Sequence, residues 1–306
     1  MSSGSIPQID AGISGARRAR LGFWFGVLAV ALFALTLPMS KLAVGSGAAP
    51  QLSPTFVTAG RAAAAALLSI AWLIAVRAPL PKPHHWRALA ISALGTVGGF
   101  PFFLNLALRD VEAIHAAVIT GVLPLATAAI ASITMRSRAS WTFWSLAAMG
   151  CGLVLTFAAL KGEGRLVPAD GLLLLAVLSA SIGYVAGAKV SMDLPGEQTI
   201  CWVLVLALPV TAPIALFALP DRPIAPSAWV GFAYVTLFSM WVGFFFWYRG
   251  LAMGGVMRVS QTQLLQPFFA LLFSVPITGE RLDLTTVAFA SAIVLVVFAS
   301  KRTAAR

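Results

Sequence analysis

The feature that most constrains this chain is a recurrence of apolar runs, each about 20 residues long and bounded by short polar or basic segments. A helix needs about that length to cross the hydrocarbon core of a bilayer, and lipid offers no partner to an unpaired backbone amide. Ten runs qualify, at 21–44, 52–76, 86–108, 113–135, 141–160, 171–190, 199–219, 228–248, 255–277 and 284–300. Of 306 residues, 59% are hydrophobic and 10% charged, and the mean hydropathy is +0.92, outside the range of ordinary soluble domains. The chain is therefore expected to be an all-α integral membrane protein of ten transmembrane helices. Residues 1–20, rich in Ser and Gly at their start, read as a disordered cytoplasmic tail, and 301–306 as a short cytoplasmic C-terminal tail.

The net charge of +11 could indicate nucleic acid, but the Lys and Arg residues are scattered singly between apolar runs, so no nucleic-acid partner is expected. Their distribution is a topology signal. With the N-terminus in the cytoplasm, five basic residues (Arg109, Lys161, Arg165, Arg222 and Arg281) fall on the far side and two (Lys41 and Arg61) within or at the edge of spans. The other 14 of the 21 face the cytoplasm, which places both termini inside. Cys151 and Cys201 sit in apolar runs with no ligand at metal spacing and read as small core residues.

The two halves look alike. Pro124 in the fourth span and Pro267 in the ninth are 143 residues apart, as are Arg138 and Arg281, and similar lead-ins precede the prolines. Because five is odd, a second copy of a five-span unit runs through the membrane inverted relative to the first. This is the plan of many secondary transporters.

The stretches 105–138 and 249–283 each hold a short charged turn, a helix start rich in Ala or Gln, a proline within the helix and a basic end; the second closes on Gly279, Glu280 and Arg281. In these features the chain resembles the EamA family of the drug/metabolite transporter superfamily, over residues 22–301. Within that family it is most like bacterial inner-membrane exporters of amino acids, aromatic amino acids included. The resemblance implies two five-helix repeats, 21–160 and 161–300, around a central cavity. It departs from the family pattern where Arg136, Ser137 and Arg138 stand in place of a second Gly-Glu-Arg, and where Gln266 replaces a frequent Glu before the proline of the ninth span.

Among the prolines inside spans, Pro38, Pro124 and Pro267 are the candidate hinges, since proline removes a helix hydrogen bond and crowds the preceding turn. Gln263 and Gln266 share a face of the ninth span, and Thr120 stands at the position equivalent to Gln263. Their amides and hydroxyl either bind the ammonium and carboxylate of an amino acid or join helices to one another. Trp241 and Phe245 are candidates for an aromatic-accepting wall, whereas Trp247 and Tyr248 near the cytoplasmic end of the same span read as an interfacial aromatic belt. Phe102 and Asn105 in the third span, and Tyr184 in the sixth, are further candidates. Arg61, about a third of the way along the second span, either attracts a substrate carboxylate or snorkels to the near surface. His115 is read as an interfacial residue, His84 and His85 as loop residues without a role, and Lys41 as pairing with helix C-terminal carbonyls or snorkelling. The Gly22/Gly26, Gly95/Gly99, Gly183/Gly187 and Gly250/Gly254 pairs read as close packing within the bundle.

No Asp or Glu falls in the middle of a span, so no intramembrane carboxylate relay is expected. A Walker loop, a zinc-protease helix and paired span aspartates are all missing from the sequence, which argues against an ATP-driven pump or an enzyme. The expected function is a secondary transporter of the bacterial inner membrane, exporting amino acids with aromatic or other apolar side chains by alternating access. No cofactor or metal is expected, the partners being a small-molecule substrate and the lipid bilayer, with the chain acting as a monomer. The competing readings are an exporter of other metabolites or drugs, such as a nucleoside or an amine, and a non-transporting scaffold or sensor.

Overall fold

The computed structural model describes residues 8–134, 140–162, 164–254 and 259–304, so Arg136, Ser137 and Arg138, and the start of the ninth apolar run, lie outside the described residues. Among the described residues, eight helices are long and apolar enough to cross a membrane: α1 (Gly15–Val44), α2 (Pro54–Ala75), α3 (Pro83–Ala107), α4 (Ala113–Thr134), α5 (Trp141–Lys161), α6 (Pro168–Val190), α7 (Gly196–Phe217) and α8 (Pro226–Gly254). Two shorter apolar helices follow, α9 (Thr262–Thr278) and α10 (Leu284–Ser300). Among the described residues there is no strand, only an isolated bridge between Gly45 and Pro50. Gly45 turns the chain there at φ 71°, and a side chain at that position would strike the Ala49 carbonyl at 2.3 Å.

The helix that becomes α1 begins at Gln8, within the segment expected to be a disordered tail. Ala and Arg at 16–20 are good helix formers, and extending an existing helix avoids the unfavourable nucleation step.

The helix partners follow a rule. α1 packs on α8 and α9, while α6 packs on α3 and α4; α2 pairs with α7, α4 with α9 and α5 with α10. Exchanging each helix with the one five places later maps these partner pairs onto one another. The closest approaches are glycine-made: Gly22 and Gly26 of α1 meet Gly254 and Gly250 of α8, and Gly95 and Gly99 of α3 meet Gly183 and Ser179 of α6. A Cβ at Gly22 would lie 2.2 Å from the Gly254 nitrogen, so only glycine permits this backbone contact. The outward surface is apolar, with Phe217 at 92% and Leu67 at 61% exposure, as expected of side chains that face acyl chains.

Four of the helix breaks lie at prolines. The ring at position i crowds the carbonyl at i−4, and the first segment of α1 ends at Ala34, four residues before Pro38. That of α4 ends at Thr120, four before Pro124, and the 3-10 turn Ser260–Leu265 contains Gln263, four before Pro267. In α3 a π-helical stretch, Ala93–Gly99, contains Val97, four before Pro101. Its counterpart in α8, Val235–Val242, is also π-helical but contains no proline. Pro209, Pro213 and Pro276 lie within helices that continue unbroken.

Candidate functional site

Arg61 is 3% exposed, so its guanidinium does not snorkel to the near surface. Its Nη2 donates to Ser239 Oγ at 3.5 Å and approaches Met240 Sδ at 3.7 Å, both in the π-helical stretch of α8. Ser239 Oγ is in turn 2.7 Å from Thr36 Oγ1 of α1. Tyr184 of α6 lies close enough to Arg61 to interact with it electrostatically. One turn earlier on the same face of α2, Thr58 accepts a hydrogen bond from Asn105 Nδ2 of α3 at 3.3 Å. Three of the expected residues, Arg61, Tyr184 and Asn105, are thus drawn together with Thr36, Thr58 and Ser239, which the sequence did not single out.

The cluster has unused capacity. The Nε and Nη1 of Arg61 and the Oδ1 of Asn105 are buried without a hydrogen-bond partner. A buried guanidinium with free donors is costly unless something arrives to accept from them, and a planar carboxylate is the acceptor whose geometry fits that fork.

Aromatic residues stand next along α2 and α8. The Trp241 and Phe245 rings are 4.8 Å apart, and Phe245 meets Trp72 of α2 edge-on at 4.9 Å. Cys201 of α7 lies against Ser69 and Trp241. Phe245 thus faces α2, and Trp241 faces α7. Phe102 packs on Phe103 of its own helix and is half-buried.

Thr120, Gln263 and Gln266 belong to a different place, the breaks of α4 and α9. These breaks meet: a Cβ at Gly121 would sit 3.4 Å from the Pro267 ring. The Thr120 hydroxyl donates to its own Ala116 carbonyl at 2.7 Å, and both glutamines are half-buried. Among the described residues, neither glutamine is hydrogen-bonded to Thr120 or to Arg61.

One end of the bundle is held by polar caps between loops. The Glu280 carboxylate, in the α9–α10 loop, accepts the amides of Ala113 and Ile114 at 2.7 Å each, capping α4. Lys41 of α1 donates to the Leu108 and Val111 carbonyls, as expected of a cation at a helix C-terminus. Arg222 donates to the carbonyls of Pro50 and Gln51, and Arg109 to that of Leu52; burial, and the nearby charge of Arg222, lower the Arg109 guanidinium below its ordinary range. A cavity of about 370 Å³ opens among Lys41, Gln51, Glu112 and Glu280. His115 is buried rather than interfacial: its Nε2 is 2.7 Å from Asp170 Oδ1 at the start of α6, and the other Asp170 oxygen accepts the Val167 amide at 2.9 Å. Sequence reading missed this pair because Asp170 and His115 are 55 residues apart and each, alone, sits at a helix end.

The profile of the EamA-like transporter family matches the chain twice, at residues 20–159 and 167–300. A Bacillus subtilis (strain 168) protein named as an uncharacterized transporter, YdeK, is 40% identical over 283 residues, covering 92% of this chain and 97% of that protein. A protein of known crystal structure shares the fold with a TM-score of 0.61 at 19% identity, over 92% of this chain and 95% of that one. Taken with eight membrane-length helices, a doubled packing pattern and a buried polar centre, the two matched halves make this chain a multi-pass membrane protein that belongs to the EamA-like transporter family.

Proposed function

We propose that the chain is a secondary carrier of the bacterial inner membrane that exports amino acids with aromatic or other apolar side chains by alternating access. The observation that carries this reading is Arg61, a buried guanidinium with two unpartnered nitrogens, with the Trp241, Phe245 and Trp72 rings further along the same two helices, α2 and α8. Arg61 takes the substrate carboxylate, Ser239, Tyr184 and Asn105 surround it, and the rings receive a flat or apolar side chain.

In this reading all ten helices span the membrane, with both termini cytoplasmic and the halves 21–160 and 161–300 as inverted repeats. The exchange-symmetric helix partners and the doubled family match support it. The breaks of α4 and α9, in contact through Gly121 and Pro267, are the bending points, and Thr120, Gln263 and Gln266 line the path that they open. The pseudo-two-fold symmetry of an inverted repeat supplies two conformations related by exchange of the halves, one open to each side.

The test is flux of labelled phenylalanine, tryptophan, threonine and a nucleoside in liposomes holding the purified protein, with and without a pH gradient. Apolar or aromatic amino acids should be carried without a need for the gradient. Arg61→Gln should lower that flux about 10- to 100-fold, the worth of a charge-assisted hydrogen bond, and Gln263→Ala should weaken it. Flux of the nucleoside alone, or of nothing, overturns the substrate assignment and leaves the fold standing.

A further inference from the structure

His84, His85 and Asp193 lie at the opposite end of the bundle from the Glu280 cap, between α2 and α3 on one side and α6 and α7 on the other. Both imidazole Nε2 atoms converge on a single carboxylate oxygen: His85 at 2.9 Å and His84 at 3.4 Å from Asp193 Oδ2. All three ligand atoms fall within 4.8 Å of one another. The histidines belong to the first repeat and the aspartate to the second, 108 residues away.

We propose that these three side chains form a binding site for a divalent transition-metal ion of the zinc class, joining the two repeats at this end. A tetrahedral ion with ligands at ~2.1 Å holds its donor atoms about 3.4 Å apart. The His84–Asp193 separation already has that value, and His85 needs to withdraw by only about half an ångström. Two neutral imidazoles and one carboxylate are borderline ligands suited to Zn²⁺, Co²⁺ or Ni²⁺ rather than to Ca²⁺ or Mg²⁺.

The backbone on both sides is set before an ion arrives. Pro83 fixes the first residue of the turn, the His85 amide closes it on the Lys82 carbonyl at 2.9 Å, and Trp86 anchors it edge-on against Trp202 of α7. Asp193 is held in its own turn by its amide on the Val190 carbonyl at 3.0 Å. His85 is buried, at 4% side-chain exposure, whereas His84 and Asp193 are 62% and 54% exposed. The ion therefore has a fixed ligand on its inner side, two adjustable ones outside, and a fourth position open to water, the arrangement of a site with solvent access. A lone hydrogen-bonded pair would require only one of the two histidines; that both rings, 4.0 Å apart, aim at the same oxygen is what points to a third participant.

Metal binding by the untagged full-length protein in detergent, stripped with chelator and titrated with Zn²⁺, tests this. Calorimetry should show one saturable ion per chain, Co²⁺ in its place should give the visible absorption of a low-coordinate ion, and Zn²⁺ should raise the melting temperature. His84→Ala and Asp193→Asn, whose side chains are largely exposed, should leave the fold intact and weaken Zn²⁺ about ten-fold or more. His85→Ala should do the same, but its burial makes the two exposed variants decisive. Absence of saturable binding, or wild-type affinity in either exposed variant, overturns the proposal. None of these readouts depends on transport, so the carrier reading stands or falls separately.

Discussion

Glu280 and Ala113, 167 residues apart, are joined by a hydrogen bond of 2.7 Å from the Ala113 amide to the Glu280 carboxylate, whose second oxygen takes the Ile114 amide at the same distance. The first amides of a helix have no partner within it, and an anion there also meets the favourable end of the helix dipole. Glu280→Ala should lower stability by about 1–3 kcal/mol, because two buried donors lose their acceptors. Glu280→Gln, which keeps one acceptor oxygen and loses the charge, should fall between it and the wild type in thermal melting.

The His115–Asp170 contact should be strongly coupled. His115→Ala leaves one oxygen of a buried carboxylate without its partner and should cost about 3 kcal/mol. Removing both side chains should cost less than the sum of the single changes. A double-mutant cycle read by melting temperature decides this, and strict additivity would contradict the pairing.

At the glycine contacts, Gly22→Leu and Gly95→Leu should abolish the monodisperse peak in size-exclusion chromatography, since even a Cβ would lie 2.2 Å and 2.4 Å from backbone atoms of α8 and α6. Gly152→Leu is the control: nothing lies within 4 Å of a Cβ there, and the variant should behave as the wild type.

Pro124→Ala and Pro267→Ala each restore an amide donor where a helix is broken. Turnover in liposomes should fall while the melting temperature holds or rises, because a continuous helix is the more stable one. Unchanged turnover in both variants would remove these prolines from the bending mechanism.

The Asp283 carboxyl is lowered from 3.8 to about 2, chiefly by the hydrogen bond from Lys161 and then by the Thr286 amide, which it caps at 2.6 Å. A carboxyl lowered on folding stabilises at pH values above its unfolded value, and that stabilisation is lost as pH falls toward the folded one. The difference in melting temperature between wild type and Asp283→Asn should therefore be constant from about pH 8 to 5 and shrink only below about pH 4. A difference that varies across the neutral range would contradict the assignment.

The membrane character, the positions of the apolar runs and the halving of the chain could be read from the sequence, because each depends on local quantities: run length, charge spacing and the offset between Pro124 and Pro267. The breaks at Pro38, Pro124 and Pro267 are likewise local, since the strain of proline acts on a carbonyl four residues away, although Pro209, Pro213 and Pro276 break nothing. Lys41 and the glycine pairs were also interpretable, for a helix-end cation and small residues at GxxxG spacing have few alternatives in lipid.

Which polar residues meet was decided by tertiary structure alone. Arg61, Ser239, Thr36, Tyr184 and Asn105 come from five helices, and no periodicity along one helix reveals what a neighbouring helix presents to it. The π-helical stretch of α8 has no proline to announce it, yet it sets the register that brings Ser239 and Met240 to Arg61. His115 with Asp170, and His84 and His85 with Asp193, looked like ordinary helix-end and loop residues, since their burial and convergence exist only once separate segments have packed. The sequence by itself determined that this chain lives in a membrane, because lipid makes hydrogen bonding a problem each segment must solve on its own. Only the packed bundle decided where its buried charge and its aromatic rings would meet, because that depends on the faces of helices far apart in the chain.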